Sequence, residues 1–209
     1  MLTSARSAAL VAAGAIGAFG ASPALAGALQ ARKAPRPGTL TETRVTSSAV
    51  DRRFVSETYV RQYEPLPRSL GAPAACNWIG YLRFRDRRGP RRRSRADAIL
   101  VDMPGLLGGA SLAESLASSV IRKAARRHRH FELWAIDRRA NCLEDARGLA
   151  AARRVHDYHV GLDYYYHGRA IARRRFAGYR TSSNTPYVSE FGLARTMKDE
   201  YAVIARGIP

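Results

Sequence analysis

The stretch that most constrains this chain runs from Ala96 to Asp137. "ADAILV" (Ala96 to Val101) is a short continuous apolar run, the pattern of a strand covered on both faces. A glycine-bearing turn, Asp102 to Gly109, comes next, followed by an S-x-x-E pair, Ser111 and Glu114. That spacing predicts a capping box, in which hydroxyl and carboxylate serve the free amides of a first helical turn. Leu112, Leu116, Val120 and Ala124 then recur every fourth residue, with Ala113, Ala117 and Ile121 alongside, so the helix has an apolar face. Arg122, Lys123, Arg126 and Arg127 crowd its last turns, where cations complement the helix dipole. "HFELWAI" (His130 to Ile136) is a second apolar strand, ending at Asp137. Strand, helix and strand of these lengths form a βαβ crossover, which requires parallel pairing and places the chain in the α/β class.

The flanks are read in the same way. "NWIGYLRFRD" (Asn77 to Asp86) alternates in the strand period, and the polar loop Arg87 to Arg95 with its Gly-Pro break solvates the turn after it. Residues 27–70 form a loose N-terminal segment with Pro35 and Pro37, in which "RRFVSETYV" (Arg52 to Val60) is a candidate first strand. Residues 71–209 hold the core, with a candidate cap insertion at 141–187 that is helical near 149–167. Leu193, Met197, Tyr201 and Ile204 mark a last helical stripe.

Residues 1–26 carry a positive Arg6, the apolar run Ala8 to Phe19 and an A-x-A site at Ala24 to Ala26. This is the pattern of a secretory signal peptide cut after Ala26; a retained signal-anchor is the alternative. The expected location is extracellular or in the cell envelope, with no membrane span after cleavage. Export permits a Cys76–Cys142 disulfide, and the even count leaves no odd thiol; the alternative is two free, buried cysteines.

The formal charge is +18 and nearly all arginine, the lysines being Lys33, Lys123 and Lys198. The arginines fall in separate clusters at Arg85 to Arg95, Arg122 to Arg127 and Arg173 to Arg175, with no interleaved aromatics. Specific nucleic-acid binding is therefore not expected, while anionic surface polymers are candidate partners.

From Asn77 to Pro209 the order of elements resembles the first half of a secreted bacterial α/β-hydrolase-fold protein. "IGYLRFR" matches its second strand and "DAILV" its third. "DMPGLLGG" matches the oxyanion turn, and "FELWAIDRR" the fourth strand with the Asp-x-Arg that often follows it. The resemblance implies an incomplete, mostly parallel hydrolase-like sheet with flanking helices. It also implies action on small-molecule ester or amide substrates, with no cofactor. In the family a G-x-S-x-G elbow caps strand five, with the acid and histidine after it. No G-x-S-x-G occurs here, so the resemblance implies that the Ser–His–acid triad lies beyond Pro209 and that this chain alone is inactive.

By the same resemblance, Gly105 and Leu106 form the oxyanion turn, the Leu106 amide donating, with Gly105, Gly108 and Gly109 supplying close approach and positive φ. An ordinary strand-to-helix loop is the alternative. Ser111 is the one in-chain nucleophile candidate, with Asp137 or Asp163 and His156, His159 or His167 as partners. Residues 104–110 separate it from the strand end, however, and the capping box engages its hydroxyl, so it reads as a cap. His156, His159 and Asp163 sit at helical spacing but make an incomplete ligand set, and no metal is expected. A non-catalytic secreted basic protein that binds anionic envelope polymers or nucleic acid is the alternative to the hydrolase.

Overall fold

The computed structural model describes residues 34–45, 50–105 and 108–207. The expected signal segment 1–26 and Leu106 lie outside these residues. Five strands form one sheet: β1 (Leu40–Arg44), β2 (Val55–Tyr63), β3 (Trp78–Asp86), β4 (Ala98–Asp102) and β5 (Phe131–Ile136), in the order β1-β2-β3-β5-β4. The helices are α1 (Glu114–Ala125), α2 (Arg147–Val155), α3 (His159–Tyr166) and α4 (Leu193–Gly207).

The class is α/β, but the sheet is mixed rather than mostly parallel. Only β4 and β5, joined through α1, run parallel; the β1/β2, β2/β3 and β3/β5 pairs are antiparallel. The segment 27–70, expected to be loose with one strand, supplies both β1 and β2. β2 begins three residues later than the apolar pattern of Arg52 to Val60 and continues to Tyr63, because it pairs along its whole length with β3 from Val55↔Asp86 to Tyr63↔Trp78.

Strand alternation divides the core between the two faces. On one face Leu82, Phe84, Leu133 and Ala135 pack under α1; on the other Ile79, Tyr81, Trp134 and Ile136 pack under Val203 of α4. Both helices seat differently from the simplest reading of their patterns. In α1 and the 3-10 turn that leads into it, the small residues Ala113, Ala117 and Ala124, with Ile121, are buried toward the sheet, while Leu112 and Leu116 face solvent. Small side chains let the helix axis approach β3 and β5 closely, and this rotates the leucines outward. In α4 the buried residues are Asp199 and Val203, so the stripe Leu193, Met197 and Tyr201 is exposed.

β4 is an edge strand, with Leu100 and Val101 about two-fifths exposed at 40% and 39%. The Cys76–Cys142 disulfide is formed, with Cα atoms 5.0 Å apart. It joins the 3-10 turn before β3 (Ala74–Asn77) to the one after β5 (Arg139–Leu143), so it fastens the carboxyl end of β5 to its neighbour. Among the described residues no helix is long and apolar enough to cross a membrane.

Candidate functional site

Ligand sites in open α/β sheets lie beyond the carboxyl ends of the parallel strands. Here the carboxyl end of β5 is tied to its surroundings by three consecutive residues, Asp137, Arg138 and Arg139, each bound to a different part of the fold.

Asp137 follows the last residue of β5, and its own amide donates to the Gly80 carbonyl at 2.9 Å. Its Oδ1 accepts the Ala110 amide at 2.8 Å and its Oδ2 accepts the Tyr59 hydroxyl at 3.1 Å. The tyrosine reaches it across β3 only because position 80 is glycine: a Cβ there would lie 2.1 Å from the Tyr59 oxygen. Burial pushes the Asp137 carboxyl above its ordinary range, while the Ala110 amide and Tyr59 hydroxyl pull it back down. Burial, and next the Asp137 charge, push the Tyr59 phenol up, so it stays a proton donor. Glu144 is raised by its own burial and then by Asp137.

Arg138 points back to the turn after β4, its guanidinium 3.4 Å from the Pro104 carbonyl. Arg139 is buried and bidentate to Asp199 of α4: its Nε donates to Oδ2 at 2.7 Å, and one terminal nitrogen donates to Oδ1. Its other terminal nitrogen donates to the carbonyls of Glu64 (2.8 Å) and Cys76 (2.7 Å). Beside this knot lies a cleft of about 250 Å³ lined by Tyr59, Arg61, Trp78, Arg138 and Asn141, with Arg61 stacked 4.9 Å from the Trp78 ring.

Ser111 is not the cap that the S-x-x-E spacing predicts. A 3-10 turn, Ala110–Ala113, runs straight into α1, and neither segment has a side-chain cap bond at its N-cap. An N-cap residue needs extended backbone. That conformation belongs to Gly109, at φ −125° and ψ 172°, which has no side chain to bond with. The capping role passes to Asp137 from the next strand, whose carboxylate takes the Ala110 amide and suits the positive end of the helix. Ser111 itself is exposed.

The glycine expectation also changes. Gly105, Gly108 and Gly109 are not among the positive-φ glycines, so positive φ is not why the turn carries them. A Cβ on Gly105 would meet open space, whereas one on Gly109 would come within 3.2 Å of the Asn141 amide nitrogen. Gly109 thus permits close approach and Gly105 faces free volume. The Leu106 amide, the expected oxyanion donor, lies outside the described residues.

The other candidates resolve separately. The histidine rings of His130 and His167 contact Asp86 (3.3 Å) and Asp163 (3.1 Å), and neither contacts Ser111. His156 is not on a helix face with His159, because α2 stops at Val155 and His156 takes a left-handed conformation at its end. Asp163 is engaged by His167 and Arg169. Among the described residues no three His, Cys, Asp or Glu side chains gather as a metal ion requires. The Tyr164 to Tyr166 run divides: Tyr164 is buried and donates to Asp145 at 2.6 Å, Tyr165 donates to the Asp145 carbonyl, and Tyr166 is exposed.

Sequence reasoning marked Asp137 as a candidate acid for Ser111 and, with Arg139, through the Asp-x-Arg resemblance, and missed Tyr59, Gly80 and Asn141. Tyr59 falls in the candidate strand Arg52 to Val60, whose pattern does not specify its cross-strand contacts, and Gly80 carries no local turn signal. Compared with protein families, with characterised proteins and with solved structures, the chain matches none.

Proposed function

We propose that this chain supplies the N-terminal half of a secreted α/β-hydrolase of ester or amide substrates. It would contribute the oxyanion turn, while the nucleophile, acid and histidine come from outside residues 1–209. One observation carries the reading, the strand order β3-β5-β4. In α/β-hydrolases strand three lies between strands four and five. The counterpart of strand three here is β4, which sits beside β5, the counterpart of strand four, and leaves its other edge open.

The exposed leucines of α1 and the exposed stripe of α4 support the same reading, since further strands and helices would cover such surfaces. The Asp137–Ala110 bond fits it as well. A carboxylate that fixes the start of the helix holds the preceding turn in place, and preorganised donors need that fixity.

The test is the purified chain assayed with p-nitrophenyl esters and a fluorophosphonate, beside Ser111→Ala. The expected result is no turnover and no adduct in either protein. Turnover lost in Ser111→Ala, or an adduct on Ser111, would overturn the proposal in favour of a self-sufficient hydrolase. A second reading, a non-catalytic binder of anionic envelope polymers or nucleic acid, rests on the +18 charge. It predicts retention on a polyanion column, with log affinity falling linearly in log salt.

A further inference from the structure

The opposite end of the sheet carries a second feature that the hydrolase reading does not use. On the α4 face, beyond the part that Val203 covers, cross-strand register lines up Arg44 of β1, Thr58 of β2 and Arg83 of β3. The adjacent row places Ser56 beside Arg85. Directly paired residues project to the same side of a sheet, so these guanidiniums and hydroxyls share one face. Arg91, from the loop after β3, joins Arg44, Ser56, Thr58 and Arg85 in lining an open cleft of about 450 Å³.

Charge on this face is unbalanced. Its buried carboxylate, Glu132, is engaged elsewhere: Oε1 accepts Arg83 at 2.5 Å, and Oε2 accepts both Arg83 Nε and Trp134 Nε1 at 2.8 Å. Glu132 is the register partner of Arg85 but forms no salt bridge with it, and among the described residues the Arg85 guanidinium donates to the Asp86 carbonyl at 3.2 Å. The one carboxylate lining the cleft, Glu42, lies 3.8 Å from Arg93. Arg87, also at the cleft, donates to the Arg52 carbonyl. Among the described residues no carboxylate forms a salt bridge with Arg44, Arg85 or Arg91.

We propose that Arg44, Arg85 and Arg91, with the hydroxyls of Ser56 and Thr58, form a binding site for a phosphoryl group. Guanidinium forks match the oxygens of a tetrahedral phosphate, and two hydroxyls add neutral donors. The electrostatics agree in direction: Arg85 is held below its ordinary range by burial first and by the Arg83 charge next, and Arg91 adds to a repulsion that Glu132 and Asp86 offset only in part and that a bound dianion would relieve. The site is distinct from the Asp137 cleft, so it stands or falls separately from the hydrolase reading.

The test is calorimetric titration of the purified chain with inorganic phosphate at low, fixed ionic strength. Arg44→Gln/Arg91→Gln is compared with a charge-matched control, Arg126→Gln/Arg127→Gln, at the end of α1. All four side chains are exposed, and the Arg91 carbonyl that receives Arg83 is untouched, so both variants should fold; circular dichroism verifies it. The expected result is saturable one-to-one binding, weakened about tenfold or more by the first pair and left unchanged by the control. Equal weakening by both pairs would mean diffuse attraction to a basic surface and would overturn the site. Binding that does not saturate, or that the first pair leaves unchanged, would overturn it equally. A parallel titration with long-chain polyphosphate separates the sources. Similar affinity per occupied site means that a single phosphoryl group is recognised. Tighter polymer binding that both pairs weaken alike means a polyanion spread over the surface, and counts against the site.

Discussion

Arg139→Met is the most informative single perturbation of the fold. The guanidinium is almost wholly enclosed, as is its partner Asp199, with side-chain exposures of 3% and 7%. Removing the cation leaves the Asp199 carboxylate buried without a counter-charge, which costs roughly 3–5 kcal/mol. The carbonyls of Glu64 and Cys76 lose a donor in the same step, so the upper part of that range is expected. For a chain of this size that corresponds to a melting temperature lower by roughly 6–20 °C. Removing both charges restores apolar packing, and Arg139→Met/Asp199→Leu should recover most of the loss. Urea unfolding followed by tryptophan fluorescence reads the effect, since Trp134 is buried in the sheet and Trp78 lines the adjoining cleft. A loss below about 1 kcal/mol in the single variant, or a double variant equal to the sum of the singles, would refute the tether between α4 and the β5 end.

Other perturbations have equally definite outcomes. Asp137→Ala strands the Ala110 amide and the Tyr59 hydroxyl and should cost about 1–3 kcal/mol, whereas Asp137→Asn keeps an acceptor for the amide and should cost much less in the same urea assay. Because the folded carboxyl titrates above its unfolded value of about 3.9, the native state holds that proton longer and wild-type stability falls as pH rises through this window. Wild type should therefore gain on Asp137→Asn as pH is lowered toward 4; a pH-independent difference would contradict the assignment. Reduction of Cys76–Cys142, which closes a loop of sequence separation 66, should lower stability by up to about 4 kcal/mol, measured with and without reductant. The open β4 edge predicts that the purified chain aggregates on heating, and that Leu100→Lys reduces light scattering without lowering the melting midpoint. A wild-type chain that melts cooperatively as a monomer would refute that.

The βαβ unit was legible because its signals are local: a short apolar run, a glycine turn, an amphipathic helix and a second apolar run. The rotation of α1 about its axis was not. Leu112 and Ala113 fall on adjacent parts of one apolar face, and only close packing on β3 and β5 selects the alanines. The cap was misassigned for a related reason. The S-x-x-E spacing is a local signature, while the group that serves the Ala110 amide lies 27 residues away, just past the end of β5. Tyr59 and Gly80 stayed hidden because their contact with Asp137 depends on the β2/β3 register, which no single segment encodes. The antiparallel majority of the sheet was missed because β1 falls in the segment 27–70 read as loose, and the candidate strand Arg52 to Val60 carries no local signal of its partners.

The most direct test of the hydrolase assignment uses the protein isolated from its native host. It would be captured through peptides of this chain, treated with a fluorophosphonate, and mapped for the labelled serine. The assignment predicts an adduct on a G-x-S-x-G serine outside residues 1–209, on the polypeptide or complex that also carries β4 and β5. An adduct on Ser111, or a captured protein that takes no label, would contradict it.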